Sequence, residues 1–346
     1  MPAVKVLVVD DSLTMRALFT SALERNKDIV VVGAACDADE ARELIEELKP
    51  NVVTLDVEMP GMNGIDFLAE IMDTKPMPVI MLSTLTHKGG EVTLRALEIG
   101  AVDCFPKPAR ATPDEFEKIS GKLCKLVLTA AKTKVTGKKA ETKPALAIRD
   151  YRYDGAVVGI AAGMGGPDAA IEMLSRYPAN CPPTILVQPL DEGLVVPFGA
   201  KLASAVAPEV KVATDGMALL EGHIYLVGAA THHVVVDRWP GGVIRLIDRD
   251  PVNGARPSAD MLFATLAKVA GIRAGGVMLS GAGTDGAAGL AAIATAGGRV
   301  IVQDPATALI AEGIEGARAR IPGAKVLAAA DIAPALLERI SMSAAA

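Results

Sequence analysis

The feature that most constrains the fold is a succession of short, solidly apolar runs separated by stretches of helical period. In the first third of the chain these runs are VKVLVV (4–9), IVVVGAA (29–35), NVVTLD (51–56), PVIMLS (78–83) and AVDCF (101–105). Strands that are buried on both faces read as continuous apolar runs, and helical crossovers make neighbouring strands parallel. The sequence therefore predicts an α/β domain with a five-stranded parallel sheet and about five helices.

A second α/β domain is predicted after a basic, weakly periodic stretch. Residues 133–150 contain five Lys and Arg side chains, which is typical of an exposed linker. We place the domains at 1–132 and 153–346, with the linker at 133–152, because 346 residues suit two cores. The second domain is predicted to be doubly wound and mainly parallel, with an antiparallel excursion between 209 and 248. Its predicted helices include 168–177, 258–270, 285–297 and 305–320, the last with Asp304 as N-cap and Pro305 after it.

Composition and charge exclude several classes of function. A net charge of -6 provides no general basic field, so DNA binding is not expected. The four cysteines lack the spacing of a zinc site or a disulfide framework. No apolar stretch reaches the roughly 18 residues of a membrane span, and the N-terminus does not read as a signal peptide. We expect a cytoplasmic protein without membrane insertion.

Three carboxylates follow strands of the first predicted sheet. Asp10 and Asp11 come directly after the first strand, and Asp56 is the last residue of the third. The carboxyl ends of parallel strands form one crevice, so these groups should converge and require a cation. Oxygen-only ligands favour Mg²⁺ over zinc.

A hydroxyl and a lysine are expected on the same rim. Ser83 ends the fourth strand, and Lys107 follows the fifth within FPKP. Together with a metal, these groups would suit phosphoryl transfer to Asp56. Taken singly, a double Asp after a strand is often a helix N-cap, and Lys-Pro is usually a loop.

The stretches VLVVDDSLTMR, VVTLDVEMPGMNGIDFL, PVIMLSTLT and GAVDCFPKP resemble the receiver domain of two-component response regulators. The resemblance covers residues 1 to about 125 and implies a flavodoxin-like fold. It implies that a sensor histidine kinase phosphorylates Asp56, and that Asp10, Asp11, Asp56 and the backbone carbonyl of Glu58 hold Mg²⁺. It further implies that Ser83 and Lys107 contact the phosphate.

A glycine-rich corner raises the question of enzymatic activity in the second domain. VVGIAAGMGGPDAA, TILVQPLDEGLVVPFGAKL, ARPSADMLF and VMLSGAGTDGAAGLAAIATAGG resemble the catalytic domain of chemotaxis-type protein-glutamate methylesterases. That family hydrolyses receptor glutamate methyl esters with a Ser, His and Asp triad. In this chain Gly163 stands at the serine position and Pro189 at the histidine position, and Asp285 alone is retained.

Loss of the nucleophile or its base costs a serine hydrolase on the order of 10⁶ in rate, about 8 kcal/mol. We therefore expect a hydrolytically inactive, phosphorylation-switched binding protein. Its expected partners are a sensor histidine kinase as phosphodonor and, as targets, chemoreceptor cytoplasmic helices or methylation enzymes.

Other interpretations remain open at this stage. An active methylesterase could use substitute residues, for which Ser280, Thr284, His232 and His233 are the candidates. The receiver could serve as a phosphate sink beside an inert second domain. The glycines could cradle an anion, although their spacing departs from the dinucleotide fingerprint, or they could simply maintain a tight turn.

Overall fold

The computed structural model of the chain describes residues 2–83, 87–108, 110–133, 135 and 151–342. The chain divides into two units, Met1–Glu141 and Thr142–Ala346. Most of the predicted linker, residues 136–150, lies outside the described residues, so the domain limits at 132 and 153 stay predictions. Within the described ranges, no helix combines the length and apolar character needed to cross a membrane.

The first unit is built on five strands, β1 to β5, which are Val4–Val9, Ile29–Ala35, Val52–Asp56, Val79–Ser83 and Asp103–Pro106. They form one sheet in the order β2-β1-β3-β4-β5, and every pairing is parallel. Five helices connect or follow them, α1 to α5, at Leu13–Leu23, Ala38–Leu48, Gly64–Thr74, His87–Ile99 and Pro113–Ala130. The predicted five-stranded parallel domain is confirmed.

The local sequence explains where the first three helices begin. Ser12, Asp37 and Asn63 precede α1, α2 and α3, and each side chain accepts a hydrogen bond from the backbone N–H three residues on. Such caps satisfy one of the donors that a helix leaves unpaired at its first turn. The strands β1, β3 and β4 are almost wholly buried, which explains their continuous apolar character.

The described part of the second unit, residues 151–342, contains nine strands, β6 to β14: Val157–Ala161, Thr184–Leu190, Glu209–Val212, His223–Ala229, His233–Val236, Ile244–Ile247, Ala274–Met278, Arg299–Gln303 and Lys325–Leu327. Seven of them form a parallel sheet in the order β14-β13-β12-β6-β7-β9-β8. The helices α6 to α11 are Gly166–Leu174, Glu192–Ala205, Ala259–Ala270, Ala287–Thr295, Glu312–Arg320 and Ala329–Met342. The doubly wound, mainly parallel fold is confirmed.

The predicted antiparallel excursion is smaller than expected. Strands β8 and β9 pair in parallel within the main sheet, and only β10 and β11 form an antiparallel pair in a sheet of their own. Hydrophobic period alone does not distinguish a parallel edge strand from a hairpin strand, because both show short apolar runs.

The helix predicted at 305–320 begins later, at Glu312. Asp304 instead holds a turn, in which its side chain accepts a hydrogen bond from Ala306 N at 2.9 Å and its carbonyl accepts one from Thr307 N at 2.9 Å. An Asp side chain bonded to the backbone two residues on is a turn motif that competes with a helix N-cap. Pro305 suits either structure, because its fixed φ also fits the second position of a turn.

Candidate functional site

The first unit brings its three carboxylates together at the carboxyl edge of the sheet. Strands β1 and β3 are hydrogen-bonded neighbours, so Asp10 and Asp56 leave the sheet side by side. Ligand oxygens of Asp10, Asp11 and Asp56 lie within 4.8 Å of one another. Asp10 and Asp56 are buried, whereas Asp11 is exposed and lines an open groove of about 790 Å³. The acidic cluster is therefore reachable from solvent at Asp11.

Lys107 compensates part of this charge. Its Nζ lies 2.8 Å from Asp10 Oδ2 and 2.7 Å from Asp56 Oδ2, and the lysine side chain is 10% exposed. Burial by itself lowers the pKa of Lys107, but hydrogen bonds and charge interactions with the two aspartates outweigh it and raise the pKa. Burial raises the pKa of Asp56, with Lys107 opposing the rise and Asp10 adding to it. One ammonium thus pairs with two of the three carboxylates.

The donor set has the chemistry of a site for a hard divalent cation. All three groups offer carboxylate oxygens, and their charge exceeds that of Lys107 by two formal units in the ionised state. Such oxygen-only, partly solvated sites suit Mg²⁺, which retains several waters. Asp10, Asp11 and Asp56 are the residues that could hold it.

The remaining predicted residues lie around the same edge. Glu58 follows β3, and its backbone N–H donates to Asp56 Oδ1 at 3.3 Å; its carbonyl contact to a metal stays a prediction. Ser83 ends β4 and is buried, and its carbonyl accepts a hydrogen bond from Lys107 N at 2.8 Å. Ser83 and Lys107 are therefore tied together at neighbouring strand ends.

Sequence reasoning missed Arg16. Its Nη1 donates to the carbonyl of Asp10 at 2.7 Å and to that of Asp11 at 3.1 Å. The signal was present in DDSLTMR: long side chains in the first turns of a helix point back toward its N-terminus, which here is the loop that carries both aspartates.

The glycine corner of the second unit lies between β6 and α6. Gly163 N donates to Ser280 O at 2.8 Å, and Gly166 N donates to Gly163 O at 2.9 Å. Gly165 adopts φ +70° at the start of α6, a conformation that glycine tolerates best. A Cβ on Gly163 would lie 3.0 Å from Gly281 Cα, so a serine there would require the facing backbone to shift slightly.

No base stands at the position that follows Gln188. Pro189 is an exposed residue within β7 and offers no titratable group. Gln188 is buried, and its Nε2 donates to Gly163 O at 3.0 Å. The two positions at which the resemblance expects a nucleophile and a base are thus adjacent in space, but neither carries the required group.

Asp285 is fully engaged with the start of α8. Its carboxylate accepts hydrogen bonds from Ser258 Oγ at 2.6 Å, from Ala259 N at 2.6 Å and from Asp260 N at 3.3 Å. Burial raises the pKa of Asp285, and these hydrogen bonds oppose the rise. The retained aspartate therefore has a structural task that is independent of a triad, because it satisfies donors of a helix N-terminus.

His233 contacts this network without being able to act as a base. The ring is buried; its Nδ1 accepts from Ser258 N at 3.1 Å, and its Nε2 faces Asp250 O at 3.0 Å. The backbone partners assign one nitrogen as acceptor and the other as donor. Ser258 is also buried, and its Oγ accepts from Met261 N at 3.4 Å as the N-cap of α8.

The other candidate substitutes are not arranged as a triad either. Ser280 is buried, and its Oγ donates to Met164 O at 2.8 Å and accepts from Ile310 N at 3.0 Å. His232 is half-buried and Thr284 is exposed, and neither donates to the carboxylate of Asp285. Within the described ranges, the structure does not join a hydroxyl, an imidazole and Asp285 in the order that hydrolysis requires.

Comparisons with known proteins agree with both halves of this architecture. A response regulator receiver domain model matches residues 6–118, and a CheB methylesterase model matches residues 158–336. A protein-glutamate methylesterase/protein-glutamine glutaminase of Rhizobium johnstonii is 46% identical over 308 residues, which cover 88% of each chain. One from Caulobacter vibrioides is 44% identical over 311 residues, or 90% of each chain.

A solved structure matches the second unit. The crystal structure of the Thermotoga maritima CheB methylesterase catalytic domain is 27% identical, with a TM-score of 0.51. The match covers 54% of this chain and 98% of that one. The second unit is therefore similar in fold to a methylesterase catalytic domain over almost the whole of that domain.

Proposed function

Because the chain belongs to the CheB methylesterase family and carries a response regulator receiver domain ahead of the esterase domain, we propose that it is a phosphorylation-switched binding protein. In this proposal, the receiver accepts a phosphoryl group on Asp56. The second domain binds its targets without hydrolysing them.

The arrangement of Asp56 supports its role as phosphoacceptor. Its carboxylate lies at the end of β3, next to Lys107 at 2.7 Å, and the residue that follows it, Val57, lines an open groove. One Asp56 oxygen would attack the phosphorus of a phosphohistidine while the bond from phosphorus to the imidazole nitrogen breaks. Lys107 would then pair with a phosphoryl oxygen, and Ser83 would contact another.

The acidic cluster supports a requirement for Mg²⁺. Asp10, Asp11 and Asp56 would hold the ion with the carbonyl of Glu58, and the ion would neutralise charge on the transferring phosphoryl group. Lys107, the cation already present, can offset only part of the charge of the aspartates.

The observation on which the inactive-esterase proposal rests is the identity of two residues, those at the serine and histidine positions of the family. Gly163 has no nucleophile and Pro189 has no base, and Asp285 is bound to α8. In a serine hydrolase the loss of either catalytic group costs on the order of 10⁶ in rate. The second domain keeps an apolar core. Binding is therefore the function that we propose for it.

The proposed partners follow from the family. A sensor histidine kinase would supply the phosphoryl group, and chemoreceptor cytoplasmic helices or methylation enzymes would be the targets. Phosphorylation adds charge at Asp56, and such a change can bias a protein between two arrangements.

The proposal is tested by treating the purified chain with acetyl phosphate and Mg²⁺, and by measuring intact mass and receptor binding. We expect one phosphoryl group on the wild type, none on Asp56→Asn, and a phosphorylation-dependent change in affinity for chemoreceptor cytoplasmic fragments. Phosphorylation at another residue, or an affinity that is identical with and without phosphate, contradicts the proposal.

The names of the relatives favour a second candidate, an active methylesterase that uses substitute residues. Relatives that are 44–46% identical are named protein-glutamate methylesterase/protein-glutamine glutaminase. This candidate requires methanol release from methylated receptor fragments, whereas the binding proposal requires none.

A further inference from the structure

Arg16 on α1 holds the backbone of the loop that carries Asp10 and Asp11. A single guanidinium nitrogen, Nη1, donates to the carbonyl of Asp10 at 2.7 Å and to that of Asp11 at 3.1 Å. Both distances are within the range of good hydrogen bonds. The two N–H groups of this nitrogen therefore bridge the consecutive carbonyls of the residues that supply two of the three clustered carboxylates.

The loop has little else to resist the repulsion between these carboxylates. On the side of Asp10, Ser12 N donates to Oδ1 at 3.0 Å, and Lys107 approaches Oδ2. Asp11 is exposed, and a free loop would relieve the repulsion by turning its carboxylate into water. The bond from Arg16 to its carbonyl fixes the peptide from which that side chain projects.

We infer that Arg16 is a positioning residue for the divalent cation, because it sets the backbone from which Asp10 and Asp11 reach the ion. This inference rests on the proposed phosphoacceptor function. Groups that orient metal ligands without touching the metal affect its affinity by about 10- to 100-fold. Preorganisation of this kind reduces the conformational cost of bringing like charges together.

The charge of Arg16 alone predicts the opposite effect. A guanidinium beside a cation site repels the incoming ion, so removal of its charge would tighten metal binding. A clamp that fixes the loop predicts weaker binding when the side chain is shortened, whether or not the charge is kept. The direction of the change therefore separates the two roles.

The experiment is isothermal titration of the full-length protein with MgCl₂. We expect Arg16→Gln to weaken Mg²⁺ binding by about tenfold. We expect Arg16→Lys, which keeps the charge but loses the reach and planar geometry of the guanidinium, to weaken it as well. Arg25→Gln is the matched control, since Arg25 pairs with Glu117 at 2.9 Å on the surface, and it should leave the affinity unchanged.

A second measurement separates positioning from a loss of structure. The Mg²⁺ concentration that gives half-maximal phosphorylation by acetyl phosphate should rise in parallel with the dissociation constant. The rate at saturating Mg²⁺ should stay within about twofold of the wild type, because Arg16 does not touch the reacting carboxylate. A variant that has lost structure would lower that rate at every Mg²⁺ concentration, and this result would overturn the positioning role.

Three outcomes are decisive. Wild-type affinity in both Arg16 variants, or tighter binding in Arg16→Gln, overturns the inference. Equal binding by the wild type and Asp11→Asn would instead refute the metal site on which it rests. Weakening by both variants, with Arg25→Gln unchanged, supports the positioning role.

Discussion

Replacing Asp56 by Asn is expected to stabilise the metal-free protein, although the change removes an ion pair. Asp56 Oδ2 lies 2.7 Å from Lys107 Nζ, an attraction of about 6 kcal/mol at an effective dielectric constant of about 20. Oxygens of Asp10 and Asp11 lie within 4.8 Å of those of Asp56, so each repulsion is at least about 3.5 kcal/mol before water screens the exposed Asp11. Attraction and repulsion nearly cancel, and the cost of burying the Asp56 carboxylate decides the sign.

The same balance of burial, attraction and repulsion at Asp56 predicts how the stability of the protein depends on pH. Burial raises the pKa of Asp56 above the ordinary 3.8. A group whose pKa is raised on folding contributes stability below its ordinary pKa, and this contribution is lost as the pH rises through the folded-state pKa. The free energy of unfolding of the wild type should therefore fall relative to that of Asp56→Asn above about pH 4. We expect the gap to reach about 2 kcal/mol at pH 7.

The assay is urea unfolding of the full-length protein in EDTA, followed by circular dichroism between about pH 4 and 7.5. The single tryptophan, Trp239, lies in the second unit, where its indole donates to Gly155 O at 2.8 Å. Its fluorescence reports the unfolding of the second unit. Glu47→Gln, which removes an exposed carboxylate on α2, is the control for net charge.

Mg²⁺ should narrow or reverse the difference in the free energy of unfolding between Asp56→Asn and the wild type. The wild type keeps all three carboxylates of the proposed site, so the ion should stabilise it more than it stabilises the variant. A wild type that is more stable than Asp56→Asn at pH 7 in EDTA would refute the reasoning, because the attraction to Lys107 would then outweigh burial. If the difference in the free energy of unfolding between the two proteins is the same with and without Mg²⁺, the role of Asp56 as a metal ligand is refuted.

Further substitutions test the remaining contacts. Lys107→Met should lower the free energy of unfolding at pH 7 by about 3 kcal/mol, because two buried carboxylates lose their cation; urea unfolding checks this, and an unchanged midpoint contradicts it. Asp285→Ala should cost about 2 kcal/mol, because three donors lose their acceptor, and an unmoved tryptophan transition would refute this structural role. Gly163→Ser and Pro189→His should each release no methanol from methylated receptor fragments, whereas the double variant should exceed background by about tenfold or more, because nucleophile and base act as a unit. Release by either single variant would show that the other catalytic group is already supplied elsewhere.

Much of the first unit could be predicted from the sequence because its central strands β1, β3 and β4 are mostly buried. Continuous apolar runs located β1 to β5 within a few residues, and the rule that parallel strand ends share one edge placed Asp10 and Asp56 together. The contact of Arg16 with the loop was harder to foresee. It depends on the direction of a long side chain in the first turns of α1, which the hydrophobic pattern does not reveal.

The second unit shows where local signals compete. Asp304 and Pro305 fit a helix start as well as a turn, and a further local hydrogen bond supports the turn, since Gln303 Nε2 donates to Thr307 O at 3.2 Å. Spacing also suggested no partner for Asp285, because Ser258 lies 27 residues away and meets it through the packing of α8 against α9. By contrast, the lack of a nucleophile at Gly163 could be inferred from the residue type alone.

The most direct test of the central claim is methanol release. The purified protein, phosphorylated with acetyl phosphate and Mg²⁺ and verified by mass, is incubated with methylated receptor fragments beside Asp56→Asn. The account predicts no release above background from either protein, because the corner lacks both nucleophile and base. Release by the phosphorylated wild type that Asp56→Asn lacks would contradict it, and would require an active methylesterase with substitute residues.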